Sequence, residues 1–211
     1  MENKTEALLS SVADYYSARL AEFGEQPRGV DWNGEEGQVL RFDQLCKIIP
    51  ADASFSINDL GCGYGALFGY LQAKKRCFTY AGSDISESMI EAARQRYASA
   101  RNAVFSISSR PEAVADFTVA SGIFNVRLDH PDEEWLPYIH NTLDIMDGAS
   151  SGGFAFNCLT SYSDAEKMRG YLYYADPCKL FDFCKRRYSG HVALLHDYGL
   201  YEFTILVKRK P

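Results

Sequence analysis

Between Ser56 and Leu67 the chain reads Ser-Ile-Asn-Asp-Leu-Gly-Cys-Gly-Tyr-Gly-Ala-Leu, and few folds accommodate such a run. A short apolar segment ends near an acid, Asp59, breaks at Gly61, Gly63 and Gly65, and resumes with helical periodicity. Strand, tight turn and helix N-terminus therefore follow one another directly. Glycine permits positive φ in such a turn and lets a ligand approach the backbone with no Cβ in the way, while the helix start offers free N–H groups.

The remaining pattern extends this unit on both sides. Leu8, Leu9, Val12, Tyr15, Tyr16, Leu20 and Phe23 recur at helical steps over residues 5–23, and a second helix over about 35–48 ends at Pro50. Between them lies a loop rich in breakers that still carries Trp32. After the glycine turn, Phe78 to Ser83 reads as a strand closing on Asp84, and Ser86 as the N-cap of a helix. Strands over Val104–Ile107, Phe117–Ala120 and Phe154–Leu159 alternate with a helix over roughly 133–147. Asp176 and Pro177 read as N-cap and first residue of a last helix. Val192–His196 and Tyr201–Val207 are separated by hairpin spacing, so βαβ units give way to an antiparallel ending.

The turn resembles the first motif of class I S-adenosylmethionine (SAM)-dependent methyltransferases of the small-molecule type. That motif is acidic-x-Gly-x-Gly-x-Gly, and Asp59, Gly61, Gly63 and Gly65 fill all four places. Gly61-x-Gly63-x-x-Ala66 also satisfies the relaxed fingerprint of NAD(P)-binding oxidoreductases, with Asp84 at the distance expected of the ribose-binding acid. Asp59 before the first glycine, two helices ahead of the first strand and the terminal hairpin favour the methyltransferase. A non-catalytic SAM-binding or protein-interaction partner on the same fold is the other alternative, and the intact motif with Asp84 argues against it.

The resemblance implies one domain over 1–211, with an N-terminal helical cap (1–50) on a Rossmann-like core (51–211). It implies a mostly parallel sheet of order 3-2-1-4-5-7-6, a C-terminal antiparallel hairpin, helices on both faces and an aromatic substrate lid over about 159–177. By position it sets Gly61, Cys62, Gly63 and Gly65 against the cofactor, Asp59 on the turn's shape and the methionine ammonium, Asp84 on the ribose hydroxyls and Ile85 on the adenine face. Ser121, Gly122 and Phe124 fall beneath the methionine part. Asn125 stands where many relatives have His, and Ser108-Ser109-Arg110 lacks the acid that often takes the adenine amine. Arg41 is the candidate for the methionine carboxylate and Trp32 for the mouth of the site.

Methyl transfer from a sulfonium needs an aligned acceptor and exclusion of water more than a fixed acid–base pair. The expected activity is transfer to N or O of a small molecule, releasing S-adenosylhomocysteine. Tyr15, Tyr16, Asn157, Tyr162, Tyr171, Tyr173 and Tyr174 are the candidate acceptor residues, since tyrosine faces suit cationic or aromatic groups. His196 is the candidate general base.

A formal charge of −6 argues against a nucleic-acid surface, and the short basic runs at 74–76, 185–187 and 208–210 read as solvated ends. None of the six cysteines forms a Cys-x-x-Cys pair or lies at zinc spacing from a His, so no metal site is expected. A polar N-terminus and the lack of a membrane-length apolar run point to the cytoplasm with no membrane partner, and a monomer or homodimer is expected.

Overall fold

The computed structural model describes residues 2–52 and 54–209. Positions 1, 53, 210 and 211, including the ends of the expected domain and Lys210 of the last basic run, lie outside them. Among the described residues seven strands form one sheet of order β3-β2-β1-β4-β5-β7-β6, the order expected. They are β1 (Phe55–Leu60), β2 (Phe78–Asp84), β3 (Ala103–Ile107), β4 (Ala115–Ala120), β5 (Ser150–Leu159), β6 (His191–Leu195) and β7 (Glu202–Lys208). The first five run parallel, and β7 lies antiparallel between β5 and β6.

Helices α1 (Glu2–Phe23), α2 (Glu35–Leu45), α3 (Ala66–Ala73), α4 (Glu87–Arg96), α5 (Asp132–Gly148) and α6 (Pro177–Arg187) cover the sheet. On one face Phe42, Leu45, Phe68, Leu71 and Ile90 pack onto Ile57, Tyr80, Phe105 and Val119. On the other, Leu8 and Val12 of α1 join Trp135, Ile139, Leu143 and Leu180 over Leu60, Phe154, Phe156 and Ile205. Burying a side chain of this size contributes roughly 1.5–3 kcal/mol, so both layers hold their helices on the sheet. Ser86 and Asp176 cap α4 and α6 as read from sequence, their side chains accepting N–H bonds from the first turn. The second helix turns into a 3-10 segment at Cys46–Ile48 instead of running straight to 48. β5 begins earlier than its apolar run, at Ser150, and β6 stops one residue before His196.

One connection departs from βαβ regularity. No helix joins β3 to β4; a strap over residues 108–114 crosses the sheet face instead. Asn58, 2% exposed, explains how it is held: its amide donates to Ala113 O (2.9 Å) and Ala149 O (3.2 Å). A buried Asn with satisfied donors is tolerated where an unsatisfied one would cost about 1–3 kcal/mol.

Candidate functional site

The carboxyl ends of β1, β2 and β4 meet where the chain's winding direction reverses, the place at which open α/β sheets hold ligands. There β1 gives way to the glycine turn. Gly61 and Cys62 donate their N–H groups to Ser83 O (2.7 and 3.1 Å), stitching the turn to β2. Gly61 has φ +75°, and a Cβ there would stand 2.1 Å from Ile123 Cγ2, so any other residue strains the backbone and displaces Ile123. Asp84 takes the next step: its carboxylate accepts N–H bonds from Gly63 and from Ser86, both at 2.9 Å. Burial pushes its pKa up, opposed by these backbone donors.

Above this rim lies a cavity of about 870 Å³, within the range that encloses small ligands. Gly61, Gly63, Asp84, Ile85, Ser121, Gly122, Trp32 and Tyr16, all predicted from sequence, line it. Helix α1 roofs it with Leu8, Leu9 and Val12, and α5 walls it with Tyr138, Asn141 and Thr142. Ser17 Oγ meets Ser86 Oγ at 2.9 Å and Ser11 Oγ meets His130 Nε2 at 3.0 Å, which ties the roof to both sides. Burial raises the Tyr16 hydroxyl pKa far above its ordinary value and that of Tyr138 to about 12, so both are neutral donors at physiological pH. Ser121 lines the cavity, and its Oγ is buried with no hydrogen-bond partner. An unused buried hydroxyl is uncommon, and a ligand group is one way to satisfy it.

Sequence reasoning missed the α5 wall; Ser108, Ser109 and Arg110, the loop read as lacking the usual acid for the adenine amine, line the far end of the cavity. A signal existed for the helix: Glu134, Tyr138, Thr142 and Ile145 fall at steps of three and four, so they share a face. That face carries polar and apolar groups together and does not read as core.

Several predicted residues take other roles. Asp59 is 3% exposed, accepts a bond from Tyr80 Oη (2.6 Å) and lies beneath the turn instead of lining the cavity. Burial first, then the neighbouring Asp84, pushes its carboxyl up to about 7, against the Tyr80 hydrogen bond. Cys62 is buried, and its thiol packs inward. Gly65 caps α3 with φ +80°, and a Cβ there would meet Tyr97 at 2.8 Å, so packing explains it without a ligand. Phe124 is fully buried against Phe156 and Tyr138, its carbonyl accepting Trp135 Nε1–H. Tyr15 donates to Asp31 Oδ2 (2.9 Å).

The acceptor candidates after β5 lie off the cavity altogether. Neither Asn157, Tyr162, Tyr171, Tyr173 nor Tyr174 lines it, and neither does His196. Tyr174 Oη accepts Arg169 N–H, the Tyr173 N–H donates to Asn125 O, and the Tyr171 carbonyl accepts from Arg127 and Leu128. This segment is sewn onto the stretch after β4. Asn125 shares the task, taking Leu159 N–H on its Oδ1. Tyr162 is 68% exposed, and His196 packs beside it and against Phe203. Arg41 does not reach the cavity either: its guanidinium grips Glu202 at 2.8 and 2.7 Å.

Comparison with known proteins converges on one family. The model described as "Methyltransferase domain" matches residues 58–144. A Mycobacterium tuberculosis (strain ATCC 25618 / H37Rv) protein named "Putative methyltransferase Rv1506c" is 60% identical over 163 residues, covering 77% of this chain and 98% of the relative. Magnesium protoporphyrin IX methyltransferase from Synechocystis PCC 6803, solved with bound SAH, superposes with TM-score 0.68 at 16% identity, covering 95% of this chain and 99% of that one. The N-methyltransferase NodS from Bradyrhizobium japonicum WM9, solved with S-adenosyl-L-homocysteine, gives 0.65 at 14% identity, covering 94% and 98%. At such identities the two structures speak for the fold alone. Among the described residues no helix is long and apolar enough to cross a membrane, and no cluster of metal-ligating side chains occurs.

Proposed function

We propose that this chain, which belongs to the methyltransferase family, holds SAM in the cavity beneath α1 and passes its methyl group to N or O of a small-molecule acceptor, releasing S-adenosylhomocysteine. The observation that carries the reading is the conjunction at one rim of a Cβ-free turn, the Asp84 carboxylate and the partnerless Ser121 hydroxyl. These are the groups a nucleoside joined to an amino acid would use. The solved relatives named with SAH support it.

Asp84 has the charge and position to accept both ribose hydroxyls, a charge-assisted arrangement worth about 1.5–3 kcal/mol. Ile85 offers an apolar surface to the base, and Ser108 and Ser109 offer polar groups at the far end. Ser121 Oγ and the turn face the amino-acid portion. When bound, SAM supplies an electrophilic methyl on sulfur. The chain supplies orientation and dryness: α1, Trp32, Ile123 and Tyr138 enclose the space, which makes proximity effective. The neutral Tyr16 and Tyr138 hydroxyls orient an acceptor without taking its proton. His196 lies outside the cavity.

Calorimetric titration with SAM and S-adenosylhomocysteine tests the cofactor, with micromolar binding of both expected. No binding at millimolar concentration would remove the reading. Release of S-adenosylhomocysteine across a metabolite panel then identifies the acceptor, and turnover only on a protein or nucleic acid would overturn the small-molecule part.

A further inference from the structure

Trp32 enters the cavity from the connection between a short 3-10 turn, Pro27–Val30, and α2, and a ring of contacts holds it there. The Gly122 N–H donates to Asn157 Oδ1 at 2.7 Å. The Asn157 amide donates to Glu202 Oε2 at 3.1 Å. Arg41 donates to both Glu202 oxygens. Its guanidinium lies 3.8 Å over the Trp32 ring. The indole rests on Gly122, where a Cβ would stand 2.5 Å from Cζ2, and this closes the circuit. Four regions remote in sequence meet in it: the Trp32 loop with the adjoining α2, the turn after β4, β5 and β7.

Asn157 is 0%, Glu202 1% and Arg41 9% exposed. A buried ion pair is a poor stabiliser, because desolvation offsets most of the attraction, and apolar side chains of similar volume often do as well. What such a pair does confer is a single geometry. Here that geometry fixes the Ser121–Gly122 backbone, and with it the free Ser121 hydroxyl, and sets the Trp32 wall opposite.

We propose that Arg41, Asn157 and Glu202 are positioning residues of the cofactor site: they touch no ligand, yet through Gly122 and Trp32 they set the affinity for SAM. The proposal rests on the cavity being the SAM site. It also explains why Arg41 sits on α2 facing the rim without entering the cavity. Its charge is committed to Glu202 and its flat face to the indole, a pairing that lysine cannot reproduce.

The test uses the full chain and three readouts: S-adenosylhomocysteine affinity by equilibrium dialysis, acrylamide quenching of Trp32, and melting temperature. Trp135, the other of the two tryptophans, is fully buried, so a Trp32→Phe variant supplies the background emission. In Glu202→Gln, Trp32 is expected to become more accessible to acrylamide and affinity to fall about tenfold, or ~1.4 kcal/mol. Arg41→Met/Glu202→Met removes both charges together. It should melt close to the wild type while both the affinity loss and the Trp32 exposure persist, separating position from stability. A double variant that regains wild-type melting and wild-type affinity would overturn the proposal. So would a Glu202→Gln variant whose Trp32 stays shielded. If the wild-type chain bound no S-adenosylhomocysteine, the cofactor reading itself would fall, and the quenching data would still report whether the ring holds the indole.

Discussion

Two stretches of the same sheet rim invite comparison. One, at the ends of β1, β2 and β4, is built from glycines, Asp84 and Ser121; the other, beyond β5 and beside β7, gathers Tyr162, Tyr171, Tyr173, Tyr174 and His196. By composition the tyrosine-rich stretch has more of the character of a binding site. Yet its backbone is hydrogen-bonded to the stretch after β4 and the Tyr174 hydroxyl to Arg169 N–H, while the glycine rim surrounds a cavity and leaves the buried Ser121 Oγ without a partner. Two carboxylates beside these stretches shift in opposite directions as well: burial raises Asp59 beneath the glycine turn, whereas Tyr201 and Lys167 lower the exposed Asp164. Unused hydrogen-bonding capacity in an enclosed space, more than aromatic density, marks where a ligand belongs.

The sharpest way to break this contrast is Gly61→Ala. The left-handed backbone costs alanine about 1–2 kcal/mol, and its Cβ collides with Ile123. We expect cofactor affinity to fall by more than about 100-fold, that is ~2.8 kcal/mol, in a chain whose circular dichroism is preserved. Binding within threefold of wild type would mean that the turn does not face the ligand.

Asp59 gives the next largest effect, on stability. Its folded-state pKa of about 7 lies above the ordinary carboxylate value, so the native state binds more protons than the unfolded one between roughly pH 4 and 7. The Asp59 contribution to stability is then fullest below about pH 4 and declines as pH rises to 7, by a few kcal/mol at ~1.4 kcal/mol per pH unit. Urea unfolding of wild type and Asp59→Asn across that window should show the slope and its loss; parallel curves would exclude Asp59 as its source. Third, Asp84→Ala should weaken SAM by one to two orders of magnitude, about 1.5–3 kcal/mol, measured by titration at constant ionic strength. An unchanged dissociation constant would detach the acid from the ribose.

The better-read half of the molecule is the half whose signals are local. Ser86 and Asp176–Pro177 act on neighbours a few residues away, and the spacing of Gly61 and Asp84 along their own strand ends marks turn and rim before any distant partner is known. The partnerships that reassign Arg41 and Asn157 are of another kind. Arg41 and Glu202 stand 161 residues apart, and Asn157 reaches Glu202 across the β5–β7 pairing. A helix arginine reads as solvated until the register of an antiparallel strand sets a buried glutamate opposite it. Tyr138 escaped for the converse reason: its periodicity was visible, but only the roof laid over it by α1 turns that helix face into a wall.

The smallest predicted effects bear most directly on the tyrosine-rich stretch. Tyr162→Ala removes a ring that is mostly in solvent, and His196→Gln an exposed imidazole. Exposed substitutions of this kind usually stay within about 0.5 kcal/mol of wild type, so neither melting nor SAM affinity should move. Turnover on the acceptor found by screening should also stay within twofold and keep its pH profile, because no proton passes through an imidazole that the cavity does not contain. A tenfold loss in His196→Gln, with the acid limb of the profile displaced, would return the acceptor to this rim.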